Sequence, residues 1–235
     1  MGLTGLGTPY SVAVLTATLV VGFDLDMTLV DSSEGIYMTL AAAVRACPGG
    51  EQVQIERDDV WPYIGVPLEM TVSALAPKTD PEQVAQAYRE RYATIGVPLT
   101  TLLPGAEDAF RAVHAVGGQV LVVSAKAEAG VHQVLTAVGL DYDDLRPDLV
   151  VGGLFAAAKG SCLRQHGAGV YVGDHSGDME AARVAGAISV AVTTGPQSAE
   201  MLVAAGADVI LADLGRFPSW LSTDLPEFSR SRVGR

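Results

Sequence analysis

Short apolar runs and helical stretches take turns through the second half of this chain, and that alternation restricts its fold more than any other feature. Leu102-Leu103-Pro104-Gly105 punctuates the start of a helix expected over 106–116. Gly117-Gly118 then leads into Gln119-Val120-Leu121-Val122-Val123-Ser124, a continuous apolar run that ends in a hydroxyl. Further strands are expected at 148–151, 170–172, 188–192 and 209–211. Between them the apolar spacing predicts helices at 127–138, at 157–166, after Gly173-Asp174 to about Val184, and at 198–205. Strands that alternate with helices pair in parallel through right-handed crossovers, so this half of the chain reads as an α/β layer.

A further strand stands apart from these. Leu19-Val20-Val21 runs into Gly22-Phe23-Asp24-Leu25-Asp26-Met27-Thr28, so an apolar strand delivers two carboxylates, two residues apart, to its own end. Side chains two apart on an extended segment point the same way, which puts Asp24 and Asp26 on one face of the strand's C-terminal edge. Open α/β sheets keep their ligand sites at that edge. A lone strand-end Asp commonly only caps a turn, but two acids this close raise each other's pKa unless a cation or proton lies between them.

Between this strand and the rest of the α/β pattern, the text is helical. A helix is expected over 36–46, stopped by Cys47-Pro48-Gly49-Gly50. From 56 to 96, Trp61, Ile64, Leu68, Val72 and Leu75 form one apolar stripe, and Val84, Ala87, Tyr88 and Tyr92 another. The expected architecture is a Rossmann-like parallel sheet core, residues 18–32 and 104–213, with an α-helical cap inserted at 33–103. Residues 1–17, with Gly2, Gly5, Gly7 and Pro9, read as a flexible extension, and 224–235 as a disordered tail.

With 235 residues, 49% of them hydrophobic, the chain can bury a full core. Its 27 acidic against 15 basic residues give a net charge of −12, which disfavours nucleic acid and anionic membrane as partners. The apolar stretch at 12–23 is too short to span a membrane and lacks the basic start of a signal peptide. Cys47 and Cys162 are far apart and outside any C-x-x-C pattern, as expected of buried thiols in a reducing cytoplasm. A monomer or homodimer is expected.

Four strand ends then present polar groups in a row: Asp24 and Asp26; Ser124 and Lys126; Lys159 in a crossover; and Asp174 with Asp178 in Gly173-Asp174-His175-Ser176-Gly177-Asp178. In this order they resemble the four motifs of the haloacid dehalogenase (HAD) superfamily, in its phosphoglycolate phosphatase-like branch. Asp24-Leu25-Asp26-Met27-Thr28 matches D-x-D-x-T, Ser124 the second motif, Lys159 the third, and Asp174 with Asp178 the acidic fourth. The resemblance covers residues 19–212.

It implies a Mg²⁺-dependent phosphatase acting on a small phosphorylated metabolite, or a phosphomutase, or a non-catalytic relative with a drifted site. By the same resemblance Asp24 is the nucleophile, Asp26 the general acid and base, and Ser124 and Lys159 the phosphoryl-binding pair. Mg²⁺, a hard ion that prefers oxygen, would be held by Asp24, the Asp26 carbonyl and Asp174, with Asp178 either a ligand or the residue that orients Lys159. Lys126 and Gly65, the latter in Ile64-Gly65-Val66-Pro67-Leu68, correspond to substrate-facing positions, and Thr28 to a loop residue that supports Asp26; Gly65 and Pro67 equally read as ending one helix and restarting the next. Two departures stand out: Ala125 where the family carries Asn, and Gly160 where many relatives carry Pro.

Overall fold

The computed structural model describes residues 18–225. The expectations for 1–17 and for 226–235 lie outside the described residues. Strand β1 (Val20–Phe23) is followed by the two-residue β2 (Val30–Asp31), then by helices α1 (Ser33–Arg45), α2 (Arg57–Val60), α3 (Leu68–Leu75) and α4 (Pro81–Ile95), and by β3 (Thr101–Leu102). The alternating half runs α5 (Ala106–Ala115), β4 (Gln119–Val123), α6 (Glu128–Val138), β5 (Leu149–Val151), α7 (Ala157–Gln165) and β6 (Val170–Gly173). It ends with α8 (Ser176–Ala185), β7 (Ile188–Val192), α9 (Ala199–Ala204) and β8 (Val209–Leu211).

Six strands form one sheet in the order β5-β4-β1-β6-β7-β8, and every neighbouring pair is parallel. This is the α/β architecture expected from the alternation. The strand that sequence order separates from the others, β1, sits at the centre between β4 and β6. There the order of connection reverses, which opens a crevice at the carboxyl ends of the strands.

Alternation along β1 and β4 divides the core into two layers. Val21 and Phe23, with Val120 and Val122, face α5, where the Phe23 ring lies 5.3 Å from Phe110 and 5.4 Å from Phe217. Val20, Leu121 and Val123 face the other way, toward Leu163 of α7, Ala181 of α8 and the buried Tyr171, whose hydroxyl donates to the Val123 carbonyl at 2.8 Å. Burying a side chain such as Phe23 completely stabilises the fold by roughly 1.5–3 kcal/mol.

Within the helical stretch, Gly65 and Pro67 end one helix and restart the next. The apolar stripe from Trp61 to Leu75 is not one helix: α2 passes into a 3₁₀ turn at Trp61–Tyr63, then breaks. Gly65 takes a left-handed conformation (φ 89°) and Pro67 begins α3. The stripe is therefore carried round a bend. In addition, β2 and β3, the segments leading into and out of the helical stretch, pair antiparallel with Val30 opposite Leu102. At the other end the chain stays helical through Asp224, the first residue of the expected tail, because Phe217, Trp220 and Leu221 are buried beside α5. Cys47 is buried as expected, whereas Cys162 is partly exposed. Among the described residues, no helix is long and apolar enough to cross a membrane.

Candidate active site

The loop after β1 is tightly wound. The Leu25 carbonyl accepts hydrogen bonds from the amides of Thr28, Leu29 and Val30, and Met27 donates to the Val30 carbonyl at 2.7 Å. Met27 adopts a left-handed conformation (φ 57°), and the Thr194 hydroxyl, from the loop after β7, donates to the Met27 carbonyl. Ala156, just before the helix that carries Lys159, also has positive φ (46°). Such conformations cost about 1–3 kcal/mol each and collect at functional sites.

Asp24 leaves β1 with its amide still bonded to the Val172 carbonyl of β6, so its position is fixed by the sheet. Lys159, in the first turn of α7, is 2% exposed and reaches both Asp24 Oδ1 at 2.9 Å and Asp178 Oδ1 at 2.7 Å. The other oxygen of Asp178 accepts from the His175 amide at 3.1 Å, closing the N-terminus of α8. Asp24, Asp174 and Asp178 each offer an oxygen within 4.8 Å of the others. Asp174 Oδ1 accepts from the Thr28 hydroxyl at 3.0 Å, and Asp174 Oδ2 is buried with no hydrogen-bond partner. Gly195 stands directly over that oxygen: a Cβ there would lie 1.8 Å from it.

When all are ionised, three carboxylates against one ammonium leave this buried centre two negative charges in excess. The titration behaviour follows first from burial and then from that imbalance. Burial lifts the Asp24 carboxyl from 3.8 to about 7, with Lys159 pulling the other way and Asp178 adding to the rise. Burial, together with Asp178 and Asp24, pushes Asp174 well above the carboxylate range. Burial also works against the charge on Lys159, but Asp178 and Asp24 outweigh it and hold its pKa well above the ordinary value. An all-oxygen donor set with excess negative charge and an orphaned carboxylate oxygen fits a hard divalent cation.

Asp26 lies outside that centre. Its Oδ1 accepts from the Ser32 hydroxyl at 2.6 Å, and its Oδ2 faces the Lys126 ammonium at 3.3 Å. Lys126 in turn lies 4.0 Å from the ring centroid of Tyr92 on α4, so it joins the helical stretch to the sheet edge. Ser124 follows β4, the strand next to β1, with its hydroxyl accepting from the Lys126 amide at 3.2 Å. A cleft of about 420 Å³ runs from Asp26 between the helical stretch and the loops after β4 and β5, and Gly65 and Ala125 are on its wall.

A family model for haloacid dehalogenase-like hydrolases matches residues 21–143. The chain belongs to that family. Among curated relatives of this haloacid dehalogenase-like hydrolase is a phosphoglycolate phosphatase of Vibrio cholerae, 28% identical over 213 residues that span 83% of this chain and 93% of that one. Another is the tyrosine-protein kinase PtkA of Mycobacterium tuberculosis, 26% identical over 191 residues, 77% of this chain and 64% of the kinase. A solved haloacid dehalogenase-like hydrolase of Streptococcus pneumoniae shares the fold, with a TM-score of 0.73 at 21% identity over 90% of this chain and 98% of that one.

In this haloacid dehalogenase-like hydrolase, every residue expected at the site lies at or beside one sheet edge, apart from Gly65, which faces it from the loop before α3. The exception to the expected contacts is Thr28. It bonds Asp174 rather than Asp26, because the loop turns back at Met27 and sends the hydroxyl toward β6. Asp26 is supported by Ser32 instead. Ser32, Thr194 and Gly195 were not singled out by the sequence. Ser32 reads as an ordinary helix start, and Thr194 and Gly195 follow a strand to which no motif drew attention. Gly160, the departure near Lys159, has a packing role: a Cβ there would come within 2.6 Å of the Ala181 carbonyl where α7 and α8 cross.

Proposed function

We propose that this protein is a Mg²⁺-dependent phosphatase that hydrolyses a small phosphorylated metabolite through an aspartyl-phosphate on Asp24, with residues 33–103 acting as a cap. The observation that carries this reading is the unequal environment of the two acids of one strand end. Asp24 sits inside the buried carboxylate centre against Lys159, and Asp26 sits outside it, on the cleft, against Ser32 and Lys126. A nucleophile needs a fixed position and a charge-stabilising partner, whereas a general acid and base needs access to the leaving group.

In the first step the Asp24 carboxylate attacks phosphorus in line, the bond to the ester oxygen breaks, and protonated Asp26 gives its proton to the departing alkoxide. In the second, Asp26, now a carboxylate, takes a proton from water as that water attacks the phosphorus. The bond to Asp24 breaks and phosphate leaves. Ser32 and Lys126 hold Asp26 and stabilise the charge it carries between the two steps. Lys159 and Ser124 bind the phosphoryl oxygens and stabilise the charge that spreads over them in the transition state. Asp178 keeps Lys159 aimed at Asp24. Asp24, the Asp26 carbonyl and Asp174 would hold Mg²⁺, which would offset the repulsion between the carboxylates and an incoming phosphate.

Asp24→Asn should lower Mg²⁺-dependent phosphate release from p-nitrophenyl phosphate by about 10³-fold or more, the scale on which removing a catalytic group acts. It should also abolish trapping by beryllofluoride. Retained turnover would remove Asp24 from its role.

A further inference from the structure

The cleft has a composition that none of the motif residues requires. Its wall carries Ile36, Leu40, Val60, Leu68, Tyr88 and Phe155. Among the described residues, the four charged groups on it form two ion pairs: Lys126 with Asp26 at 3.3 Å, and Arg89 with Glu69 at 2.5 Å. The wall as a whole is neutral. A substrate carboxylate that approached Arg89 would meet Glu69 at the same place. One that approached Lys126 would compete with Asp26 as soon as Asp26 gives up its proton and becomes a carboxylate, in a region where both side chains are buried. Bringing an unpaired charge onto such a wall carries a desolvation cost with nothing to offset it.

The dimensions point the same way. The cleft has a volume of about 420 Å³. That is far more than a two-carbon acid fills, and it lies within the roughly 300–1,000 Å³ usual for pockets that enclose whole organic ligands. Asp26 is on the wall, so the group whose oxygen it protonates must extend into this space.

We infer that the leaving group is a bulky, neutral and largely apolar alcohol, with an aromatic or branched hydrocarbon body, rather than a hydroxy acid or a small polyol. The inference rests on the phosphatase reading in placing the leaving group on the Asp26 side. Tyr63, Gln133 and Thr71, also on the wall, can satisfy an isolated hydroxyl on such a body.

Four phosphate monoesters that all leave as ordinary alkoxides test this without a bias in intrinsic reactivity: 2-naphthylmethyl phosphate, benzyl phosphate, phosphoglycolate and glycerol 3-phosphate. With Mg²⁺, kcat/KM for 2-naphthylmethyl phosphate is expected to exceed that for phosphoglycolate and for glycerol 3-phosphate by at least tenfold, with benzyl phosphate between. Equal or greater kcat/KM for either polar ester overturns the inference. A parallel binding measurement by calorimetry compares 2-naphthylmethylphosphonate with phosphonoacetate, neither of which can be hydrolysed. Tighter binding of the aromatic phosphonate by tenfold or more supports the inference, and equal or tighter binding of phosphonoacetate overturns it. If none of the four esters turns over, the phosphatase reading fails, and the phosphonate comparison still decides the chemistry of the cleft. Leu68→Arg, away from the catalytic groups, should narrow or reverse the preference in both assays; an unchanged preference would show that the cleft does not set it.

Discussion

At the strand ends three buried carboxylates share one ammonium, while on the cleft wall each charge has a partner of its own. The first region is held by the sheet: Asp24 continues the β1–β6 ladder, and Lys159 and Asp178 sit in the first turns of α7 and α8, which pack on one another. The second is held by helices and by contacts that cross from one layer to the other, such as Lys126 on the Tyr92 ring. The difference shows where binding energy can be stored. A centre with excess charge gains from a ligand that supplies the missing cation, and a neutral wall gains from removing apolar surface from water. Changes in the two regions should therefore be read out differently, the first by metal and the second by substrate.

The sharpest break between them is expected from Gly195. Its Cβ position lies 1.8 Å from Asp174 Oδ2, so Gly195→Ala must displace that carboxylate. We expect Mg²⁺-dependent activity to fall by at least 10²-fold, the scale of a positioning error of about 1 Å at a reacting centre. A titration with Mg²⁺ should show a matching rise in the concentration required. An unchanged Mg²⁺ requirement would mean that Asp174 does not hold the ion.

Lys159→Met comes next. Removing one partner of a buried ion pair costs about 3–5 kcal/mol because the charge left behind is uncompensated. Denaturant unfolding without metal should show a loss of that order, and saturating Mg²⁺ should recover part of it. A loss below about 1 kcal/mol, the scale of an exposed pair, would show that Lys159 is not needed to balance the centre.

The same excess charge sets a pH dependence. In metal-free protein Asp24 titrates at about 7 when folded, against 3.8 as its ordinary value, so the folded state holds the extra proton between those limits. Its contribution to stability is fully present below pH 3.8 and is lost as pH rises through about 7, because the native state binds more protons than the unfolded one across that window. Melting temperatures in EDTA should show this downward component from about pH 4 to 7. Asp24→Asn should remove it, and Mg²⁺, which favours the ionised carboxylate, should flatten it. A metal-free profile that Asp24→Asn leaves unchanged would break the link.

How much of this was legible beforehand divides along the same line. The sheet was readable because each strand is a short apolar run bounded by Gly or a polar residue, and β7 and β8 fall at the residues expected. The catalytic candidates were readable because strand ends are fixed points: once Asp24, Ser124 and Asp174 are placed on strands, their meeting follows from parallel pairing. Residues that act by approach rather than by pattern stayed hidden. Gly195 is a loop glycine with no spacing to mark it, and Ser32 gains its meaning from a turn whose left-handed Met27 no local preference predicts. The bend at Gly65 was legible in part: Gly65 and Pro67 mark the end of one helix and the start of the next, although hydrophobic spacing continues through them at helical period.

The smallest effect is expected at that bend, and it sharpens the comparison because it too concerns a glycine. Gly65 has φ 89°, which an L residue adopts only at a cost of about 1–2 kcal/mol, yet the space around it is open. A Cβ there would lie 3.7 Å from the His175 ring, an ordinary van der Waals contact. Gly65→Ala should therefore strain the loop without striking the carboxylate centre. Stability should fall by about 1–2 kcal/mol or less, and the Mg²⁺ requirement should stay as it is. If the loop bounds the cleft as its place on the wall indicates, KM should rise severalfold with kcat little changed, the pattern of a lost contact shared by ground and transition states. A fall in kcat that tracks a raised Mg²⁺ requirement would mean that the loop before α3 bears on the centre itself, through His175 and the first turn of α8, and that the two regions are not independent.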